Sequence, residues 1–191
     1  MRKWLMGLLL GMIVLSVQAK EIKRVTLPET VTVDQVPLVL NGAGIRTKLL
    51  FDVYVIGLYT PQKMQQPEAI IHHNKPRRIL ITLLRTVDAN SMYVSLLDGL
   101  KHNLSTSEIS SFQAQIAQME ALFRRSGALQ KGDSIILDFI PTRGLKINIR
   151  GGQHTANIVS EAFARSVLKI WLGQKPADKK LKHLLAGGTE A

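Results

Sequence analysis

Three side chains carry most of the chemistry available to this sequence: Arg46, Tyr54 and Tyr93. A guanidinium is permanently charged and forks toward carboxylates and phenolates, so beside an apolar cleft Arg46 would grip the anionic end of a hydrophobic ligand. The structural alternative is an internal ion pair, for which Asp52 and Asp98 are the obvious acids. Tyr93 fits a core position, where its hydroxyl needs a backbone, water or ligand partner. Familiar catalytic signatures are absent: no HExxH, CxxC, G-x-S-x-G or P-loop occurs. Zinc hydrolysis, serine esterase chemistry and nucleotide hydrolysis therefore lack support. The adjacent pair His72-His73 cannot easily share one metal, because neighbouring residues on a helix point apart. Gly42-Ala43-Gly44 lacks the third glycine and the strand-to-helix context of a dinucleotide fingerprint and suits a bulge better. Neither a metal site nor a cofactor is expected.

The element that must position Arg46 and Tyr54 is Asn41–Pro61, NGAGIRTKLLFDVYVIGLYTP. Val, Ile, Phe and Tyr crowd Leu49–Tyr59, which favours a strand, while Gly42 and Gly44 leave room for a bulge or for backbone to approach a ligand closely. In an unbulged strand, alternation puts Arg46, Asp52 and Tyr54 on one face and Leu49, Phe51, Val53 and Val55 on the other. Around it, Ile22–Leu27, Thr30–Val33 and Val36–Leu40 read as strands, with Pro37 at an edge or strand start, and Pro67–His72 reads as a short helix. Arg78–Leu84 is a continuous apolar run suited to the middle of a covered sheet. A helix starts at the N-cap Asp88, a second runs from Ser107 to Gly127, and Ser134–Ile140 with Leu145–Ile149 forms a hairpin. A third helix is expected from about Asn157 to Gly173, and a last one over Ala177–Leu185. This order predicts an α+β fold.

GAGIR followed by VYVIGLY, then Tyr93 at the start of a helix, then IWLGQKPADKKLKHLLAG, together resemble the chalcone isomerase superfamily over about Ile22–Gly188. The resemblance implies an open-faced β-sandwich, a largely antiparallel sheet covered by a layer of helices. In the catalytic branch of that family an Arg orients a chalcone phenolate, a Tyr and a Thr polarise the carbonyl, and an Asn and a second Thr hold the rings. This chain keeps the Arg as Arg46 and the Tyr as Tyr93, but the strand threonine falls at Tyr54, the asparagine at Leu100 and the second threonine at Ile170. The connection from Arg46 to Ile56 is also shorter than in the plant enzymes. What survives is the pattern of the fatty-acid-binding members, in which Arg and Tyr hold a carboxylate at the end of an apolar pocket.

Three functions follow, in order of support. The first is an exported, non-catalytic binder of a small amphipathic carboxylate such as a fatty acid, with Arg46, Tyr93 and Tyr54 in the site. The second is an intramolecular lyase of the chalcone isomerase type, with the Tyr54 hydroxyl free to polarise a ketone. The third is an envelope structural or partner-binding protein whose pocket is closed by side chains.

Residues 1–19 read as a signal peptide: Arg2 and Lys3, an apolar stretch Trp4–Val17, and a Val17-Gln18-Ala19 cleavage site. That apolar stretch is shorter than the roughly 20 residues of a spanning helix, so an uncleaved anchor is the weaker alternative. Residues 20–191 fit one domain. Cysteine is absent, so there is neither a disulfide framework nor a lipobox. The formal charge is +11, of which Arg2 and Lys3 contribute two. The rest suits a peripheral contact with an anionic membrane surface or an acidic ligand; nucleic acid is an improbable partner for an exported protein. N-terminal sequencing of protein from the envelope is expected to begin at Lys20, and a chain that still starts at Met1 would make it an anchored protein.

Overall fold

The structure is a computed structural model that describes residues 19–189; the expected leader, apart from Ala19, lies outside them. Strands β1 (Ala19–Ile22) and β2 (Val25–Pro28) form a separate antiparallel hairpin. The single strand expected over Ile22–Leu27 is interrupted because Lys23 and Arg24 take φ of 51° and 64°, the left-handed pair that a two-residue hairpin loop requires. The same device, Asp34 and Gln35 at 49° and 65°, joins β3 (Thr30–Val33) to β4 (Val36–Lys48). Pro37 sits at the start of β4, as its missing N–H demands.

The main sheet is a seven-stranded antiparallel meander in chain order: β3, β4, β5 (Phe51–Thr60), β6 (Arg77–Leu83), β7 (Ser134–Ile140), β8 (Gly144–Ile149) and β9 (His154–Ile158). The apolar run over Arg78–Leu84 is thus the central strand, β6. The strand β9 corrects the expectation of a helix from about Asn157. Arg150, Gly151 and Gly152 turn the chain at φ of 53°, 63° and 94°, and the polar segment that follows pairs with β8 as an exposed edge. The sheet curls: Arg143, in the β7–β8 turn, reaches Asp34, in the β3–β4 turn, at 2.9 Å although the strands lie far apart in the order.

Among the described residues six helices follow the connections: α1 (Pro67–Ile71), α2 (Ala89–Asn103), α3 (Thr106–Ser111), α4 (Gln113–Ser126), α5 (Glu161–Leu172) and α6 (Lys179–Leu185). Asp88 caps α2 by accepting from Ser91 N at 2.9 Å, and Ser160 caps α5 by accepting from Phe163 N at 3.2 Å. The helix expected from Ser107 is instead two, because Phe112 leaves helical backbone values (φ −101°, ψ 13°) and sets its ring edge-on to Phe163, 5.5 Å between centroids. One sheet face packs on α2, α4 and α5 through residues such as Ile56, Ile79, Leu137, Met92, Leu122 and Trp171. The other buries Leu27, Val33, Leu38, Val55 and Tyr59 under the β1–β2 hairpin. Each such side chain contributes about 1.5–3 kcal/mol by leaving water.

Two bulges in the β4–β5 pair decide what faces where. Register steps from Leu40↔Tyr59 to Gly42↔Leu58, leaving Asn41 extra, and from Arg46↔Tyr54 to Thr47↔Asp52, leaving Val53 extra. The buried Asn41 uses its position fully: Nδ2 donates to Met64 O (2.9 Å) and Leu185 O (2.7 Å), while Oδ1 accepts from Met64 N (2.6 Å) and Thr60 Oγ1 (3.2 Å). Gly42 and Gly44 admit not a ligand but α6. A Cβ on Gly42 would stand 2.0 Å from Leu184 O, and one on Gly44 2.8 Å from Leu184 Cδ1. Gly42→Ala should therefore push α6 off β4 and lower the unfolding free energy by about 1–3 kcal/mol, more if the helix cannot shift. Chemical denaturation measures this, and an unchanged midpoint would show that α6 is not seated as described.

Candidate functional site

Two residues beyond Gly44, on the same face of β4, Arg46 meets the N-terminal end of α6. Asp178 is the N-cap there: Oδ1 accepts from Leu181 N at 2.9 Å and Oδ2 lies 3.5 Å from Arg46 Nη1. Arg46 also donates to Thr47 O. Its acid is thus neither of those expected. The two-residue turn at Leu49 and Leu50 pairs Asp52 with Thr47 and so puts it on the opposite face from Arg46, where Thr47 Oγ1 (2.8 Å) and Lys23 (3.4 Å) hold it. No ion pair joins Arg46 to Asp98 among the described residues. A contact of 3.5 Å is too long for a strong hydrogen bond, and a guanidinium has five N–H groups, so Arg46 keeps donors for a further acceptor.

Tyr54 is the cross-strand partner of Arg46 and shares its face. It is buried, and its hydroxyl accepts from Trp171 Nε1 at 3.0 Å, which leaves its own proton to donate. Burial raises the phenol above its ordinary pKa; the Trp171 hydrogen bond and the Arg46 charge oppose the rise, and Asp178 adds to it. Tyr54 is accordingly a neutral donor.

An open hollow of about 630 Å³ extends from this corner. The β4–β5 hairpin supplies Arg46, Phe51, Val53 and Tyr54; the β6–α2 connection supplies Arg85 to Asp88; Met92, Leu96 and Gly99 on α2, Ile170 on α5, and Pro176 and Ala177 complete the wall. Its size is that of a small-molecule site, and its wall is mixed: polar side chains, among them Lys48, Ser91, Ser95, Asp98 and His102, stand beside the apolar ones. The expectation that Arg46 and Tyr93 share a cleft is not met. Tyr93 is absent from the lining and faces α4, where its hydroxyl donates to Glu120 Oε2 at 3.4 Å; burial, then the Glu120 charge, raise its pKa. Of the positions where the resemblance placed lost polar groups, Leu100 is fully buried core, Ile170 is pocket wall and Tyr54 is pocket floor.

A second hollow, of about 680 Å³, lies between the β3–β4 turn and β7–β9. Its floor is the pair Arg78–Asp138, already joined by two hydrogen bonds of 2.5 and 2.8 Å. With both charges satisfied by each other, it offers a weaker anchor than Arg46. His72 pairs instead with exposed Glu68 at 3.7 Å, and no group of His, Cys, Asp and Glu able to hold a metal occurs among the described residues.

The sequence profile of the family described as chalcone isomerase-like matches residues 19–187. The chain belongs to the chalcone isomerase-like family. A solved structure with the same fold is that of a fatty-acid-binding protein from Arabidopsis thaliana, with a TM-score of 0.69, 18% sequence identity, and coverage of 89% of this chain and 96% of that one. Among curated proteins no sequence matches this one. Within this chalcone isomerase-like chain the residues that sequence reasoning missed are Asp178, Trp171 and Arg85. Only Asp178 carried a local signal, an N-cap type just after Pro176 and before the last helix.

All three tyrosines have their pKa raised with burial as the largest cause, and the Tyr59 hydroxyl is buried and unpaired. The unfolded chain releases phenolic protons near pH 10, whereas the folded protein holds them. Stability from these groups is therefore full below pH 10 and falls as pH rises through and beyond it. In an alkaline titration the phenolate absorbance should rise only as circular dichroism reports unfolding; phenolate formed in the folded state near pH 10 would contradict the burial described.

Proposed function

We propose that this protein binds a small amphipathic carboxylate, of which a fatty acid is the simplest, in the pocket between the β4–β5 hairpin and α2. The observation that carries the reading is Arg46, half-buried in the wall of an open hollow that also holds Val53, Met92, Leu96 and Ile170, with donors to spare. The carboxylate would take a charge-assisted bond from the guanidinium and a second from the Tyr54 hydroxyl, while the tail lies against Val53, Met92, Leu96 and Ile170. The fatty-acid-binding neighbour supports the choice of ligand class through its shared fold. The open hollow weighs against a closed-pocket structural role. Turning Tyr93 toward Glu120 and lining the wall with Ile170 weigh against chalcone-type isomerisation, which needs ring-holding polar groups. The leader-like residues 1–19 support a periplasmic location for this binder.

Calorimetric titration with dodecanoate and its methyl ester tests the reading. Arg46→Ala should weaken dodecanoate about ten- to a hundredfold and leave the ester unchanged, since a hydrogen bond to a charged group is worth about 1.5–3 kcal/mol. Asp178→Asn retains a capping side chain but removes the competing charge, so it should tighten dodecanoate. If wild type and Arg46→Ala bind the acid equally, Arg46 serves only its ion pair and the reading fails.

A further inference from the structure

The β4–β5 hairpin does more than wall the pocket. Its tip places Leu49, Leu50 and Phe51 side by side in solvent, 88%, 92% and 59% exposed. The other exposed large apolar side chains among the described residues, Val94 and Val159, stand singly. Scattered apolar residues are ordinary on a surface, but three consecutive ones at the end of a projecting hairpin are not. Leu49 also takes φ 57° in the two-residue turn, a conformation for which hairpins favour glycine or asparagine. A bulky leucine there is unfavourable for the backbone and finds little packing in the folded chain.

The charges around the tip have one dominant sign. Lys48 precedes it, Arg85 stacks over the Phe51 ring at 4.8 Å from its centroid, and Lys23 is drawn alongside by its 3.4 Å contact with Asp52. Asp52 lies within this group and is offset by Lys23, while Asp88 and Asp98 line the hollow from the start and middle of α2. Leucines and a phenylalanine ringed by lysine and arginine match the interfacial region of an anionic bilayer, where apolar side chains enter the acyl boundary and cations meet the headgroups. Leu49, Phe51, Lys48 and Arg85 also line the hollow, so the tip and the mouth of the pocket are the same surface.

We propose that the β4–β5 hairpin tip docks on anionic lipid bilayers and sets the mouth of the pocket against the membrane, from which an amphipathic acid can enter. The docking rests on the exposed tip and its charge; only the purpose given to it rests on the ligand-binding reading. No helix among the described residues is long and apolar enough to cross a membrane.

Flotation with phosphatidylglycerol and with phosphatidylcholine vesicles tests the proposal, using exported protein purified without detergent or added fatty acid. Wild type and variants carry the same N-terminus, so only the tip distinguishes them. Wild type should float with phosphatidylglycerol and not with phosphatidylcholine, and added salt should release it. Leu50→Asp, which changes the tip but not the pocket lining, should lower partition at least about tenfold. Lys48→Glu should lower it about fivefold or more. Val159→Asp, an exposed apolar site away from the tip, should float like wild type. Equal flotation of wild type and Leu50→Asp, no flotation of wild type, or equal loss in Val159→Asp would each overturn the proposal. So would a wild-type dimer that Leu50→Asp disperses without any vesicle binding, which would assign the tip to a second copy of the chain. Dodecanoate titration without vesicles separates the two readings: Leu50→Asp that binds the acid normally yet fails to float supports docking, and flotation without acid binding leaves docking standing while the ligand reading falls.

Discussion

Helix α6 lies on β4 at a distance that only glycine permits, with the carbonyl oxygens of Leu184 and Leu185 against Gly42 and the side chains of Leu181 and Leu184 against Gly44. Alternation puts Gly42, Gly44 and Arg46 in one row beneath the helix, which runs back along the strand. The C-terminal carbonyls therefore meet the first glycine and the N-cap Asp178 meets Arg46. Asn41, the bulged residue just before this row, ties the last turn of α6 to the chain after β5 through Leu185 O and Met64. Remove that close seat, and the acid opposite Arg46, the Pro176-Ala177 wall and the pocket end all lose their placement.

Asp178 has two roles at once, since one oxygen caps a helix while the other offsets a half-buried guanidinium. That arrangement makes Arg46 tolerable without saturating it. A ligand carboxylate arriving from the pocket would share the guanidinium with a resident acid, which weakens it relative to an unopposed arginine but keeps the empty site stable. Arg77 shows the contrast. It is almost fully buried, donates to His73 O with Nε left unpaired, and its pKa falls to about 10 through burial and the nearby Arg165, with Glu161 opposing. Arg77 is a cost that the fold carries; Arg46 is a charge that the fold holds ready.

The same logic distinguishes the two hollows. Arg78 and Asp138 satisfy each other by a bidentate pair across neighbouring strands, so that pair has little left to offer a ligand despite the greater volume of its hollow. Volume alone does not choose a site. On the helix face Arg46 and the Tyr54 hydroxyl line the same hollow as Val53, Met92, Leu96 and Ile170, a juxtaposition of donors and apolar wall that suits an amphipathic molecule.

Much of the fold was legible because it rests on short-range signals. Asp88 and Gly127 as helix ends, the Pro141-to-Gly144 turn and the apolar run of β6 all followed from side-chain chemistry within a few residues. The strand β9 was not, since a polar edge strand lacks the alternation that marks a buried one, and its pairing comes from the turn at Arg150–Gly152. The sequence by itself determined that Gly-x-Gly-x-Arg precedes an apolar strand and that Arg46 would be a charge beside apolar surface. Tertiary structure alone decided what the glycines admit, which acid answers Arg46, and which tyrosine stands with it. The turn at Leu49 and Leu50 put Asp52 on the other face, a one-residue bulge at Val53 brought Tyr54 opposite Arg46, and packing on α4 gave Tyr93 to Glu120. Those outcomes depend on register and on a helix more than a hundred residues away, for which no local pattern in the chain carries a signal.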